Sequence, residues 1–267
     1  MLATTRFTEM QTMGTPNEFG VDYVRAGAAF RWQELYEYLE ARGLLCVGGT
    51  VSSVGSSLLL GGGLTYFSGT RGWAANNVVN YEVVLANSSI IQVNNKTAPD
   101  LFWALKGGAN NFGIVTRYDL LTFPTRTVYG GSVSWASNDT QRYLDAQTAF
   151  IAPGGGSRDP KAAIMPSFAY FPTTKQNLST VIFLYDGQTQ PKAFENFTSI
   201  PPASGSLGTT TLVGVVNTTE FYAPRTNRYV FSMWGAIDFG STDQKLRAHS
   251  ISDGRGPTLP FSPRKKQ

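Results

Sequence analysis

Two clusters of glycine, Gly61–Gly63 and Gly107–Gly108, constrain this chain more than any other feature, because glycine lets a backbone approach a partner closely. They bracket two strand-like runs and a short aromatic helix, and Gly113 comes just before another strand-like run. Serines and asparagines flank the glycines throughout the segment from Val54 to Arg117. If these loops converge, they form a site for a flat or phosphorylated ligand.

The first 124 residues predict an alternation of short strands and helices. Apolar residues recur at helical spacing in Arg31–Arg42, and Asp100–Lys106 follows Pro99, which suits the first turn of a helix. The dipeptide Asn87–Ser88 separates two strand-like runs and indicates a hairpin. Residues 1–20 show no pattern and are expected to form a loop. The predicted strands are Asp22–Phe30, Leu44–Val47, Tyr81–Ala86, Ser89–Val93 and Ile114–Phe123.

The sequence after Pro124 differs in composition from the sequence before it and predicts a second region. Helices are expected at Asn138–Ile151 and Lys192–Ile200, a loop at Pro201–Gly208, and a disordered tail at residues 241–267. Strands are predicted at Thr127–Trp135, Lys161–Phe171, Thr180–Tyr185, Thr209–Val216 and Arg228–Phe239. The pattern favours an α+β fold in which an antiparallel sheet carries helices on one face.

Composition argues against several kinds of site and partner. Charged residues make up 15% of the 267 residues, the net charge is +4, and the only basic cluster is Arg264–Lys266, so no nucleic-acid interface is expected. The one cysteine, Cys46, lies in an apolar run and is expected to be buried in a strand. The one histidine, His249, lies in the polar tail, so neither a metal site nor Ser–His catalysis is expected. No apolar run reaches 18 residues, and no membrane contact is predicted.

The polar residues of the glycine loops can bind a pyrophosphate or a ring edge without side-chain charge. Successive backbone N–H groups stabilise phosphate oxygens where Gly55, Ser56 and Ser57 let the backbone approach. Asn76–Asn77 and Asn110–Asn111 add amide donors and acceptors suited to a ring edge or a ribityl hydroxyl. Tight turns at sheet corners are the alternative interpretation of a glycine triplet. The pattern is neither G-x-G-x-x-G between a strand and a helix nor a phosphate loop ending in G-K-[ST].

Three longer stretches are more specific than the glycine count. They read GGTVSSVGSSLLLGGGLTYFS, RGWAANNVVNYEVVLAN and PDLFWALKGGANNFGIVTRYDL, in this order. Together they resemble the FAD-binding domain of the p-cresol methylhydroxylase and vanillyl-alcohol oxidase family. Within that family they are most similar to the berberine-bridge-enzyme-like FAD-linked oxidoreductases of fungi and plants. The resemblance is strong over Asp22–Phe123 and continues weakly to Phe239.

The resemblance implies a division into domains. Residues 1–124 would be the second lobe of a two-lobed FAD-binding domain, whose N-terminal lobe is missing from this chain. Residues 125–240 would be part of an antiparallel-sheet substrate domain with helices on one face. The chain is therefore expected to be truncated at both ends, and the uncovered apolar surface would make it poorly soluble.

The resemblance also implies which residues contact FAD. Val54–Leu58 would wrap the flavin and the pyrophosphate, and Leu64 would line the same pocket. Asn110 and residues 113–115 would close over the adenine or ribityl side. The implied FAD-binding residues are Val54, Gly55, Ser56, Ser57, Leu58, Gly61, Gly62, Gly63, Leu64, Asn76, Asn77, Val78, Asn110, Gly113, Ile114 and Val115.

The chain departs from the family pattern in ways that bear on FAD. Ser56 and Ser57 replace glycines in a loop that is shorter than usual, which narrows backbone freedom. Asn76 replaces the usual aspartate. Val51 stands where some relatives carry a flavin-linked cysteine, and the histidine of the family's R-S-G-G-H loop has no counterpart. No histidyl or cysteinyl link to FAD is therefore expected within this chain.

The implied reaction is of the oxidase type, in which an alcohol or amine carbon of a sugar or secondary metabolite loses a hydride to flavin N5. Molecular oxygen would be the electron acceptor, and a positioned base would remove the substrate proton. Tyr170, Tyr185, Tyr229 and Asp238 lie on predicted strands, but each is expected to be structural, so no catalytic residue is assigned. The alternatives are a non-catalytic remnant of this fold with weak or no FAD binding, and a glycosylated β-rich surface protein without a cofactor.

N-glycosylation sequons indicate the cellular compartment in which the protein is expected. Six N-x-S/T sequons occur, at Asn87, Asn95, Asn138, Asn177, Asn196 and Asn217. Composition alone would produce about three. The excess and the family favour a secreted glycoprotein, although no apolar leader follows Met1.

Overall fold

The computed structural model describes residues 5–171 and 176–219, which contain ten strands and six α-helices. The strands are β1 Met10–Met13, β2 Tyr23–Gly27, β3 Leu44–Cys46, β4 Val78–Val84, β5 Ile90–Val93, β6 Ile114–Pro124, β7 Val128–Trp135, β8 Ala162–Phe171, β9 Gln176–Tyr185 and β10 Ser204–Thr210. The helices are α1 Trp32–Glu40, α2 Ser68–Arg71, α3 Pro99–Leu105, α4 Thr140–Ile151, α5 Glu195–Thr198 and α6 Leu212–Asn217. None of these helices is long and apolar enough to cross a membrane.

The first sheet contains β1 to β6, and every pairing in it is antiparallel. The order is β1-β2-β6-β4-β5, and β3 pairs with the last residues of β6. The central position of β6 brings its first residue, Ile114, beside Val84 of β4. Because the two strands are antiparallel, the start of β4 at Val78 pairs with Leu120, at the other end of a ladder that two register shifts interrupt.

Aromatic side chains form the core on one face of the first sheet. Tyr81 and Tyr118 pack edge to face with ring centroids 5.7 Å apart, and Phe30 packs edge to face with Tyr118 with ring centroids 6.2 Å apart. Helix α1 packs on this face because its apolar residues recur every three or four positions. The buried residues of α1 are Trp32, Leu35, Tyr36 and Leu39.

The opposite face of the first sheet carries a polar network. The carboxylate of Asp119 is fully buried and accepts hydrogen bonds from Arg25 Nε at 3.1 Å and from Asn80 Nδ2 at 3.0 Å. Next to it, Arg117 donates to Glu82 Oε2 at 2.7 Å. This pairing satisfies a charge that would otherwise be costly to bury.

The second sheet has the order β10-β7-β9-β8 and is also antiparallel. Helices α4 and α5 cover one face, where Trp135, Tyr143, Phe183 and Phe197 form an aromatic cluster. Helix α6 packs against residues of the opposite face, including Ile182 and Leu184. These α+β elements confirm the predicted fold class.

Most of the predicted elements occur, including both long helices and the hairpin between β4 and β5. Cys46 is buried in β3, as predicted. Strand β4 begins at Val78 rather than Tyr81, and β9 begins at Gln176 rather than Thr180, since both continue as paired strands beyond their apolar cores. The predicted strand Arg228–Phe239 and the predicted tail lie outside the described residues.

Two predictions were wrong. Residues 1–20 are not wholly loop, because β1 pairs with β2 along the edge of the first sheet. The predicted loop Pro201–Gly208 and the predicted strand Thr209–Val216 are instead strand β10 followed by helix α6. The side chain of Thr211 accepts a hydrogen bond from the backbone N–H of Gly214 at 3.2 Å and caps this helix.

Candidate functional site

Three loops of the first sheet are joined by backbone hydrogen bonds. The N–H of Ala109 donates to the carbonyl of Leu60 at 2.9 Å and ties the loop before β6 to the glycine triplet. The N–H groups of Ala74 and Ala75 donate to Gly63 and Gly62, each at 2.9 Å, and tie the turn before β4 to the same triplet. The loops that the sequence singled out therefore lie side by side.

The first loop is a 3₁₀ helix, Ser56–Gly61, that begins beside helix α1. The carbonyl of Val54 accepts a hydrogen bond from Trp32 N at 3.0 Å, and Gly55 forms a β-bridge with Arg31. The loop ends at Gly62 and Gly63, whose φ angles of 93° and 78° favour glycine. Gly62 and Gly63 thus turn the chain out of the 3₁₀ helix.

The sixteen predicted FAD-binding residues differ in their exposure to solvent. The exposed members are Ser57, Gly61, Leu64, Asn76, Asn110 and Ile114. The half-buried members are Val54, Gly55, Leu58 and Gly113. The buried members are Ser56, Gly62, Gly63, Asn77, Val78 and Val115. We call the exposed set, which lies on all three loops, the loop face.

The asparagines divide between structure and surface. Asn77 is buried, and its amide donates to the carbonyls of Arg71 at 3.2 Å and Trp73 at 3.0 Å, so it holds the turn before β4. The exposed Asn111 donates to the carbonyl of Gly108 at 2.8 Å and closes the third loop. Asn76 and Asn110, by contrast, are exposed residues of the loop face.

Large apolar side chains are exposed on the loop face and next to it in the sequence. Trp73 is 52% exposed, and the position that a Cβ of Gly62 would occupy lies 2.9 Å from its ring. Leu64, Phe112 and Ile114 are also exposed. The sequence reasoning missed Trp73 and Phe112, although each lies next to a loop glycine in the sequence, and that adjacency was the available signal.

Electrostatics favour an anion at these loops. The segments Val54–Leu64, Gly72–Val78 and Lys106–Val115 contain no Asp or Glu. The ammonium of Lys106 donates to the carbonyl of Val78 at 3.3 Å and lies 4.0 Å from the centre of the Phe102 ring. Burial lowers the pKa of Lys106, and none of the ion pairs among the described residues involves it.

An open cleft of about 280 Å³ lies beside these loops. Lys106, Val78 and Phe102 line it together with Lys96 and residues that precede β2. Sequence reasoning did not identify Lys106, because a lysine at the end of a helix is ordinarily a solvated residue.

The residues present fit a cofactor that carries a flat ring and a pyrophosphate. A Cβ built at Gly61 or Gly107 would meet no atom within 4 Å, so both backbones face open space. Open glycine backbone, exposed amides and a nearby ammonium suit phosphate oxygens, and the apolar border suits a ring. The structure thus offers a surface that FAD could contact along all three loops.

Among the residues that the structure describes, no side chain is assigned as a catalytic base. Desolvation, and after it the neighbouring carboxylates of Asp159 and Asp186, raise the pKa of Tyr185, which disfavours the phenolate that a base would need. The side chain of Tyr170 and the residues Tyr229 and Asp238 lie outside the described part of the chain.

Comparisons with known proteins agree with the chemistry of the loops. Residues 12–94 match the FAD binding domain family. A FAD-dependent monooxygenase, prx3 of Penicillium roqueforti, is 44% identical over 180 residues, which are 67% of this chain and 35% of that protein. The bifunctional solanapyrone synthase of Alternaria solani is 39% identical over 66% of this chain and 33% of its own length. The chain thus spans about a third of the curated relatives it matches.

Solved structures show the same fold. The 6-hydroxy-D-nicotine oxidase of Arthrobacter nicotinovorans superposes with a TM-score of 0.69 at 19% identity, over 81% of this chain and 47% of that one. The flavoprotein MtVAO615 of Myceliophthora thermophila superposes with a TM-score of 0.64 at 19% identity, over 84% of this chain and 42% of that one. Both superpositions cover more of the chain than the family match does.

Proposed function

Because this chain belongs to the FAD-binding flavoproteins of the vanillyl-alcohol oxidase and berberine-bridge-enzyme type, we propose that it serves an FAD-dependent oxidation of a small molecule. The substrate would be an alcohol or amine carbon of a sugar or secondary metabolite, and molecular oxygen would be the electron acceptor. The observation that carries the proposal is the junction of three loops at Leu60–Gly63, where the backbone of Gly61 faces open space.

The residues of the loop face bind and orient the cofactor in this proposal. Bound FAD would accept the hydride at N5 of the flavin. Exposed backbone at Gly61 and Gly107 and the amides of Asn76 and Asn110 supply hydrogen bonds. Trp73 and its apolar neighbours exclude water from the ring, and the ammonium of Lys106 offsets phosphate charge.

The two sheets would belong to domains with different roles. We assign residues 1–124, with the first sheet, to part of the FAD-binding domain, and residues 125–240, with the second sheet, to part of the substrate domain. The boundary falls where β6 ends at Pro124 and β7 begins at Val128. Close packing of α2 on the second region supports joint action, because a Cβ at Gly69 would lie 2.4 Å from the carbonyl oxygen of Pro160.

A titration with FAD tests the proposal on the purified chain. Binding would quench flavin fluorescence and give a yellow protein with absorbance near 450 nm, expected from the flavin ring. Gly61→Val fills the open space at the loop face and should weaken binding at least about tenfold, because it blocks close backbone approach. Gly208→Val is the matched control, since its position is equally open but lies in β10.

The outcomes separate the proposal from its alternative. Saturable binding that Gly61→Val weakens and Gly208→Val leaves unchanged supports FAD binding at the loop face. A folded wild-type chain that stays colourless in excess FAD would overturn the proposal and favour a non-catalytic remnant of the fold.

A further inference from the structure

Two consecutive serines at the start of the 3₁₀ helix have opposite environments. Ser56 is 5% exposed, whereas Ser57 is exposed on the loop face. A 3₁₀ helix has three residues per turn, so neighbouring side chains diverge by about a third of a turn. One serine therefore points into the fold while the next points away from it.

The hydroxyl of Ser56 anchors the loop to the first sheet. It donates to the carbonyl of Ala28 at 2.6 Å, and the phenol of Tyr118 lies within hydrogen-bond reach of the same hydroxyl. Ala28 is itself fixed, because its N–H donates to the carbonyl of Thr116 in β6 at 2.9 Å. Through these contacts Ser56 fixes the start of the 3₁₀ helix against both β2 and β6.

The hydroxyl of Ser57 is left available by this arrangement. It has no hydrogen-bond partner among the residues that the structure describes, and it lies beside the half-buried Leu58 on the loop face. The preceding β-bridge between Gly55 and Arg31 fixes the backbone that carries it. A fixed donor without a protein partner is suited to a ligand oxygen, because little entropy is lost when it binds.

We propose that Ser57 donates its hydroxyl to an oxygen of bound FAD and that Ser56 is the positioning residue that aims it. This inference rests on the proposed function. It assigns different roles to two adjacent serines: Ser56 anchors the loop through its side chain, and Ser57 presents a hydroxyl donor.

Matched variants test the two roles in the full chain, with the dissociation constant for FAD and the melting temperature of the FAD-free protein as readouts. Ser57→Ala should raise the dissociation constant about three- to tenfold, as expected for one lost hydrogen bond, and leave the melting temperature unchanged. Ser57→Thr retains the hydroxyl and should restore binding to within about twofold of wild type. Ser157→Ala is the control, because Ser157 is also an exposed serine in a 3₁₀ helix but belongs to none of the three loops.

Ser56→Ala should act on both readouts. It should lower the melting temperature and raise the dissociation constant, and amide hydrogen exchange at residues 55–61 should become faster in the FAD-free chain. Amide hydrogen exchange is measured without FAD, so it tests whether Ser56 anchors the loop even in a variant that does not bind FAD.

The results distinguish this inference from the proposed function. If Ser57→Ala binds FAD as tightly as wild type does, the role of Ser57 is overturned and the proposed function remains intact. Unchanged exchange in Ser56→Ala would overturn the anchor. A folded wild-type chain that binds no FAD would overturn the proposed function and the Ser57 contact together.

Discussion

The backbone N–H of Ala109 donates to the carbonyl of Leu60 at 2.9 Å, and Ala109 makes this bond with a φ angle of 55°. That angle lies in the left-handed region, which disfavours residues with a Cβ. The loop before β6 is therefore held against the glycine triplet in a conformation that alanine adopts at a cost. The surrounding structure, rather than local preference, sets the distance between the two loops.

Replacing Ala109 by glycine should remove this cost. We expect Ala109→Gly to raise the free energy of unfolding by about 0.5 kcal/mol, the relief of the left-handed strain less the added freedom of the unfolded chain. Ala104→Gly, within helix α3, should instead lower it by about 1 kcal/mol. Urea unfolding of the three proteins measures both changes, and a destabilised Ala109→Gly would contradict the strain.

Trp73 should contribute to FAD binding without supporting the fold. It is 52% exposed and packs over Gly62 at the edge of the loop face. Trp73→Ala should weaken FAD binding about tenfold, because a stacked aromatic ring contributes roughly 1–2 kcal/mol. Trp103 is 81% exposed on α3, so Trp103→Ala is the control and should bind FAD like wild type. Equal losses in the two variants, measured by fluorescence titration, would remove Trp73 from the site.

Lys106 should supply charge to the bound anion. Its ammonium is desolvated and bonded to a carbonyl oxygen rather than a carboxylate. Lys106→Met should therefore reduce FAD affinity about five- to tenfold at low salt and make binding less sensitive to added salt. Lys192→Met, remote from the loops in the sequence and exposed, serves as the control. Identical salt dependence in wild type and Lys106→Met would show that the lysine does not face the anion.

Sequence periodicity predicted the parts of this fold that apolar side chains organise. Helix α1 and strand β6 are examples, because each buries residues at the spacing its geometry requires. Strand β10 was missed because Ser204–Thr210 contains one large apolar residue and is stabilised by pairing with β7. The β-branched run in α6 predicted a strand, but the Thr211 cap and its packing made it helical.

The same limit applies to the candidate site. The glycine motif predicted where the loops lie, because a backbone that must approach a partner closely requires glycine, which has no side chain. It could not predict that Ser56 is buried and Ser57 exposed, since this depends on where the 3₁₀ helix begins. Nor could it find Trp73, whose contact with Gly62 is made only in the folded chain.

Asp119 should be a main determinant of stability in the first sheet. Its buried carboxylate lies between Arg25 and Arg117 and accepts a hydrogen bond from Asn80. Asp119→Ala leaves both arginines without this partner and should lower the free energy of unfolding by about 3 kcal/mol. The more exposed pair of Asp139 with Arg142 is the control, and Asp139→Ala should cost less than about 1 kcal/mol. Similar losses in urea unfolding would mean that the buried network is not stabilising.

Glu82 should make the free energy of unfolding depend on pH. Burial alone would raise the pKa of Glu82, but hydrogen bonds from Thr116 and Gln92 and the charge of Arg117 outweigh it, so the pKa is lowered. A carboxylate whose pKa is lower in the folded state stabilises the fold above its unfolded pKa of about 4.3, and this contribution is lost as the pH falls through the folded pKa. In Glu82→Gln, the free energy of unfolding should therefore decrease less between pH 6 and pH 3 than in wild type. Thr116→Val removes one of the hydrogen bonds and should give an intermediate pH dependence, whereas parallel curves for all three proteins would exclude Glu82 as the titrating group.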